Sequence, residues 1–393
     1  MSHPPLALIT QGVQDSLICE MSRLAVSKKA LNLAEGLPDY DPPSWVLDAY
    51  QRVLSEGKDL HQLRNTWGAG ETREAVSSYY QRFYGLDYEP ETQVTVTCGA
   101  TEGLYLALKA LINAGDEVIV FEPFYEPYHD LVKSLGAIPV FYTLQSPDFK
   151  IEADALKALI TPKTKAIVLN NPNNPTGRVL SKAELQILAD AAIHNNLWCL
   201  SDEVYDQLLY EGRIFTPLAS LAGMAERTVT LGSCSKLISA TGWRVGWAVG
   251  SSELTHALRG LHDLSTAGTN TFFQLVAAEA LNAYTPALQA EVQATYAEKR
   301  RLALDVLLAL GIDEEKARRY LPEGAYYVWL DLRDTLGVED ELVWAMKLIN
   351  TVGISVVPGC TFVQGERSGF VRICFAKEAS TLQDAVRRLA NTN

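Results

Sequence analysis

The stretch GSCSKLISATGWRVGW, Gly232 to Trp247, sets Lys236 behind small hydroxyl residues and follows it eight residues later with Arg244. A lysine here is either a solvated loop residue or, if desolvated or set beside other cations, an amine able to form a Schiff base with a carbonyl. Ser233 and Ser235 offer hydroxyls and Arg244 a planar guanidinium fork, all suited to a phosphate. What the lysine does depends on the residues brought near it.

Four other segments carry polar groups at the ends of apolar runs. In CGATEG (98–103), Gly99 and Ala100 allow close backbone approach, Thr101 offers a hydroxyl, and the start of a helix offers unpaired amides and a positive dipole end. A capped helix start explains that turn equally well. In EPFYEPY (122–128), Phe124 or Tyr125 could lie on a planar ring, or could be ordinary core. NNPNNPTGR (170–178) is a proline-constrained turn that fixes the directions of Asn170 and Asn174, although a turn needs one asparagine rather than four. LSDEVY (200–205) ends an apolar strand with Asp202 and continues to Tyr205. A carboxylate at a buried strand end must meet a cation or cap the next element.

The elements that must position these residues are legible from periodicity. Between about residues 93 and 250, short apolar runs such as QVTVTCG, DEVIVFEP, KAIVLNNP, LWCLSDEVY and RTVTLGS alternate with helical patterns. Strands this apolar predict an α/β fold with a mostly parallel, seven-stranded sheet covered by helices on both faces. Ligands of such sheets bind outside the carboxyl ends of the strands, where all five segments fall. From about residue 284 a long amphipathic stretch leads into AYYVWLDL, ISVVPG and FVRICFA, predicting a second, smaller α+β domain. The expected division is 41–283 for the large domain, and 1–40 plus 284–393 for the small one.

A phosphate cradle, a stacking aromatic, amide and phenol donors, a buried carboxylate and a lysine are together what an aldehyde-bearing pyridinium phosphate requires. The lysine forms the imine, and the carboxylate keeps the ring nitrogen protonated so that the ring accepts electrons. A nicotinamide enzyme calls instead for G-x-G-x-x-G after a first strand, and that motif is not found there.

From LAEGLPDYDPP (33–43) to VRICFA (371–376), and most specifically in NNPNNPTG, SDEVY and SCSKLISATGWRVGW, the chain resembles the fold-type I, pyridoxal-phosphate-dependent aminotransferases of class I/II. It looks nearest to the branch containing kynurenine, glutamine and methionine aminotransferases. The resemblance implies an aspartate-aminotransferase-like fold and ping-pong transfer of an amino group from an α-amino acid to a 2-oxo acid. Lys236 would hold pyridoxal phosphate as an internal aldimine and then shuttle a proton. Asp202 would pair with the pyridine nitrogen, and Asn174 and Tyr205 with the ring oxygen. Tyr125 would stack on the ring, while Ala100, Thr101, Ser233, Ser235 and Arg244 would surround the phosphate. Arg372 and Gly36, with Asn174, would take the substrate carboxylate. The resemblance also implies a homodimer with shared active sites. In HQLRNTWG (61–68), Leu63 stands where relatives commonly carry a phosphate-contacting tyrosine, with Arg64 beside it; Ala267 and Phe272 depart from an aromatic and a proline.

Bulk properties narrow the alternatives. The formal charge of −13 disfavours nucleic acid or an anionic membrane as partner. No apolar run approaches the length of a membrane span, and the N-terminal residues lack the pattern of a secretory signal. Six scattered cysteines without a CxxC pair suit reduced thiols and a cytoplasmic location, and the histidines show no metal spacing. Two further readings are a carbon–sulfur β-lyase or an aminocyclopropane-carboxylate-synthase-like lyase on the same scaffold, and a non-enzymatic ligand sensor. The intact lysine, the acidic balance and the missing helix-turn-helix segment count against the sensor.

Overall fold

Runs in which nearly every residue is apolar fold here as strands buried on both faces. The computed structural model describes residues 15–391, so residues 1–14 and 392–393 of the expected small domain lie outside the described residues. Its strands are β1 (Leu31–Asn32), β2 (Val94–Thr97), β3 (Glu117–Glu122), β4 (Ile138–Thr143), β5 (Thr164–Asn170), β6 (Trp198–Asp202), β7 (Thr228–Ser233), β8 (Gly246–Val249), β9 (Tyr327–Asp331), β10 (Ile354–Ser355), β11 (Val357–Pro358) and β12 (Phe370–Cys374).

Strands β2 to β8 form one seven-stranded sheet in the order β2-β8-β7-β6-β5-β3-β4. Four of its pairings are parallel, and β8 alone runs against both of its neighbours. The seven strands were expected; the reversal of β8 was not read from the sequence. It has a direct effect on the site. Gly246, the first residue of β8, is the register partner of both Thr97, the last residue of β2, and Ser233, the last of β7. The intervening segment 234–245, which carries Lys236 and Arg244, therefore leaves and re-enters the sheet at its carboxyl edge.

Helices cover this sheet because the crossovers between parallel strands require them. The helix Gly99–Leu111 packs Leu104, Leu106, Leu108 and Leu111 inward and follows β2 without a loop. Gly103 on it lies so close to β7 that a Cβ would meet Leu231 at 3.0 Å. The helix Lys182–His194 starts with a reciprocal capping box between Ser181 and Glu184.

Beyond the sheet, the long helix Pro286–Ala309 leads to a three-stranded antiparallel sheet, β11-β12-β9, in which Arg372 on β12 sits opposite Trp329 on β9. The N-terminal strand β1 pairs in parallel with β10, Leu31 opposite Ile354, so residues at both ends of the sequence share one small sheet. A single large apolar cluster runs from Met21 through Tyr79 and Trp247 to Leu389, packing the C-terminal elements against one side of the seven-stranded sheet.

Candidate active site

At the carboxyl edge of the sheet a cavity of about 520 Å³ opens between the two groups of strands. Every residue expected at the site lines it: Gly36, Ala100, Thr101, Tyr125, Asn174, Asp202, Tyr205, Ser233, Ser235, Lys236, Arg244 and Arg372.

Lys236 lies in the short helix Cys234–Leu237, whose start is capped by Ser233 accepting from the Ser235 amide at 3.0 Å. The amine donates to the Gly36 carbonyl at 2.9 Å and faces the rings of Tyr326 and Tyr205 at 5.6 and 6.0 Å from their centroids. Burial brings its pKa down to about 8; the positive charges of Arg372 and Arg244 push the same way, while Cys374 and Asp202 oppose. A usable fraction of free amine at neutral pH is what a Schiff-base lysine needs.

Asp202 ends β6 and is 8% exposed. Burial raises its pKa, against which the Tyr128 hydroxyl donates to Oδ2 at 2.7 Å. Among the described residues the only other hydrogen bond to the carboxylate is a long one from the Val204 amide, 3.4 Å from Oδ1. No salt bridge forms to it among the described residues, and its main-chain carbonyl accepts from Asn170 and from the Asn171 amide. The carboxylate is thus desolvated and short of a cation.

Arg372 is 1% exposed. One of its terminal nitrogens donates to Asn174 Oδ1 at 2.9 Å and the other to the Ala34 carbonyl at 2.8 Å, while Nε is buried with no partner among the described residues. The guanidinium is sandwiched between the rings of Tyr327 and Phe362, 4.4 and 4.7 Å from their centroids. Among the described residues no carboxylate pairs with it. Asn174 is itself aimed by Asn170, whose Oδ1 accepts from the Asn174 amide at 2.7 Å.

The third corner is a cradle. Arg244 sits in the left-handed backbone region, φ 55°, and its guanidinium reaches the start of the helix Gly99–Leu111. A Cβ on Gly99 would lie 2.4 Å from Arg244 Nη2, and one on Gly246 would lie 2.5 Å from the Ala100 amide nitrogen. These two glycines leave helix-start amides, whose donors have no intrahelical partner, open beside a guanidinium. The turn is held from behind: Glu102 accepts from the Cys98 amide at 2.6 Å and from His262 at 3.2 Å.

Of the two aromatics considered after β3, Phe124 turns into the core, packed on Phe141 and His129, and Tyr125 faces the cavity, edge-on to Tyr128. Arg64 does not enter this cavity; it is tied to Glu71 and the Lys58 carbonyl. Sequence reasoning missed Tyr128, which steadies Asp202, and Tyr327, whose hydroxyl meets that of Tyr205 at 2.9 Å. For Tyr128 a signal existed: its spacing of three from Tyr125, one helical turn. For Tyr327 the run AYYVW reads simply as a buried strand.

The residues present fit pyridoxal phosphate. The lysine with its lowered pKa, the uncompensated carboxylate, the Arg372 Nε without a partner among the described residues and the cradle closed to any side chain at Gly99 and Gly246 each call for one part of that cofactor or its substrate. Among the described residues there is no cluster of groups suited to a metal ion, and no helix is long and apolar enough to cross a membrane.

The chain was compared with known proteins. The family model for aminotransferase class I and II matches residues 28–389. The probable N-succinyldiaminopimelate aminotransferase DapC of Mycobacterium tuberculosis is 36% identical over 388 residues, covering 95% of each chain. Kynurenine–oxoglutarate transaminase 1 of Mus musculus is 30% identical over 425 residues, with 100% of this chain and 98% of that one covered. Among solved structures, Escherichia coli YbdL, described as having a methionine aminotransferase function, superposes with a TM-score of 0.91 at 29% identity, over 99% of this chain and 100% of that one. Fold, site and relatives agree: the chain belongs to the class I and II aminotransferases and is a pyridoxal-phosphate-dependent transaminase.

Proposed function

We propose that the protein moves an amino group from an α-amino acid with an uncharged side chain to a 2-oxo acid, by ping-pong half-reactions at the cavity around Lys236. The observation that carries this reading is the convergence of Lys236, Asp202 and Arg372 on one cavity. In this reading Arg372 and Asn174 hold the substrate α-carboxylate beside the Gly36 backbone, a planar recognition that lysine cannot copy. Asp202, steadied by Tyr128, holds a proton on the pyridine nitrogen, and Tyr205 donates to the ring oxygen. Tyr125 covers the ring; Ala100, Thr101, Ser233, Ser235 and Arg244 hold the phosphate. Pyridoxal phosphate supplies an electron sink for the charge left at the substrate α-carbon. Lys236 Nζ, once displaced, carries the proton from that carbon.

The preference for an uncharged side chain is supported by the remaining lining. Ile18, Cys19 and Leu37 are joined there by Glu35 and Glu126, and among the described residues the cationic lining is confined to those already assigned, Lys236, Arg244 and Arg372. A distal carboxylate on the donor would meet like charge. Methionine, glutamine, kynurenine and aromatic amino acids fit this lining; kynurenine and methionine are also named for the relatives above.

The same reading takes residues 41–283 as the cofactor-holding domain and 1–40 plus 284–393 as the small domain, supported by the confinement of the seven-stranded sheet to residues 94–249. It takes the enzyme as a cytoplasmic homodimer, supported by six unpaired cysteines and by the exposed apolar side chains of Leu54 and Leu63 beside Leu60 and Phe272.

The test is the visible spectrum of the holoenzyme as single amino acids are added without any 2-oxo acid. Conversion of the band to the pyridoxamine form by uncharged donors, and not by aspartate or glutamate, is the expected result. Conversion only by acidic donors would overturn the side-chain assignment. Release of pyruvate or ammonia with the band restored would replace transamination by β-elimination.

A further inference from the structure

Tyr327 touches three parts of the site at once. Its hydroxyl lies 2.9 Å from that of Tyr205, the two rings being edge-on at 5.9 Å and 84°. Its ring face carries the Arg372 guanidinium at 4.4 Å. Its oxygen also occupies the space a side chain at Gly36 would need, since a Cβ there would lie 2.1 Å away. The residue is 1% exposed, and what it shows is turned to the cavity.

Either hydroxyl of the Tyr205–Tyr327 pair can donate, and the remaining bonds of this group favour Tyr327 as the donor. Arg372 directs its terminal nitrogens to Asn174 and Ala34, and among the described residues none of its nitrogens is bonded to the phenol oxygen. The Gly36 carbonyl is already taken by Lys236 and by the Tyr326 hydroxyl at 3.0 Å. A phenol can donate once and accept at its lone pairs. If Tyr327 donates to the Tyr205 oxygen, the Tyr205 proton is released to point into the cavity, and chained hydroxyl bonds polarise one another.

We propose that Tyr327 is a positioning residue: its hydroxyl donates to Tyr205 and so aims the Tyr205 proton at the cofactor's ring oxygen, while its ring holds the substrate-binding Arg372 in place. This rests on the reading of Tyr205 as the ring-oxygen donor. One side chain thereby joins the cofactor half of the site to the substrate half. The titratable and charged groups facing Tyr327 are Arg372 and Cys374 on β12, Tyr326 beside it, Tyr205 beyond β6, and Lys236 and Asp202 across the cavity. Burial keeps both phenols of the pair protonated well above neutral pH, so both remain donors throughout the working range.

The test uses holoenzyme carrying Tyr327→Phe, which keeps the ring under Arg372 and removes only the hydroxyl, alongside Tyr205→Phe and the double variant. The readout is the pH midpoint of the visible band of bound pyridoxal phosphate, with the KM for the amino donor as a second measure. Losing a donor to an anionic ring oxygen raises the midpoint. Tyr327→Phe should raise it by roughly half to one pH unit, the worth of one hydroxyl hydrogen bond, with the donor KM changed less than about threefold. In the Tyr205→Phe background the second substitution should add nothing. An unchanged midpoint in Tyr327→Phe, with a clear shift in Tyr205→Phe, overturns the inference alone. A Tyr205→Phe enzyme whose midpoint does not move overturns the reading of Tyr205, and the inference with it.

Discussion

The amine of Lys236 is held by opposing fields: loss of water and two guanidinium groups disfavour its charge, while a carboxylate and a thiol favour it. Because its folded pKa is about 8, the free amine is the minor form at neutral pH and becomes the major one above that value. Capture of pyridoxal phosphate by the cofactor-free enzyme should therefore speed up about tenfold per unit as pH rises toward 8 and level off beyond it, which stopped-flow absorbance would follow. A flat profile between pH 6 and 9 would contradict the assigned environment. Asp202 was legible in the sequence because a carboxylate ending a buried apolar strand is costly and asks for a reason; Lys236 was legible from the hydroxyl residues before it and the arginine after it, and Arg372 only through the family resemblance. Tyr128 and Tyr327 were not, because an aromatic in an apolar run already has a reason to be there, and only the folded chain shows where each hydroxyl goes.

Among the elements, the cradle depends on how closely β8 approaches the helix Gly99–Leu111. At Gly246 an added Cβ would meet backbone on three sides, 2.5 Å from the Ala100 nitrogen, 2.6 Å from the Gly99 carbonyl carbon and 2.9 Å from the Gly232 oxygen. Gly246→Ala should lower stability by about 2–4 kcal/mol in urea titrations and weaken inhibition by inorganic phosphate. Gly70→Ala, with nothing within 4 Å, serves as the neutral comparison. A second tie behind the cradle joins the helix Gly99–Leu111 to the helix Ser252–Ser265. Burial favours neutral Glu102, but bonds from His262, Thr266 and the Cys98 amide outweigh it and bring its pKa down to about 2. Burial likewise disfavours charged His262, yet the bond and charge of Glu102 raise its pKa, and its second nitrogen meets the Thr66 carbonyl at 2.8 Å. Glu102 contributes stability above its ordinary 4.5 and loses it as pH falls toward 2. His262 contributes below its ordinary 6.5 and loses it as pH rises through its folded value. A double-mutant cycle of Glu102→Gln and His262→Asn should give a coupling of about 1–2 kcal/mol at pH 5–6, shrinking by pH 9. The helix start at Gly99 was visible in the sequence; this support was not, because Glu102 and His262 are brought together only by helix packing.

For the whole molecule, the sheet was legible from its apolar runs, but neither the pairing of β8 with β2 nor that of β1 with β10 leaves a local trace, since both join segments far apart in the chain. Leu54 and Leu63, 54% and 59% exposed, stand with Phe272 among His61, Gln62 and Asn270 on one surface of a strongly acidic protein. Light scattering should give a dimer, and Leu54→Asp should raise its dissociation constant at least about tenfold. Leu63→Tyr should tighten cofactor binding if the 61–68 segment reaches the partner's phosphate; an unchanged affinity would count against that contact. The reversal of β8 also orders events during synthesis. Strand β2 has no partner in the seven-stranded sheet until β8 has been made, so an emerging chain must shelter that unpaired edge across the translation of the whole central sheet. Lys236 and Arg244 emerge just before β8, whereas Arg372 follows only near the end. With the roles proposed above, a growing chain gains the residues that hold its cofactor well before it gains the arginine that takes the substrate carboxylate.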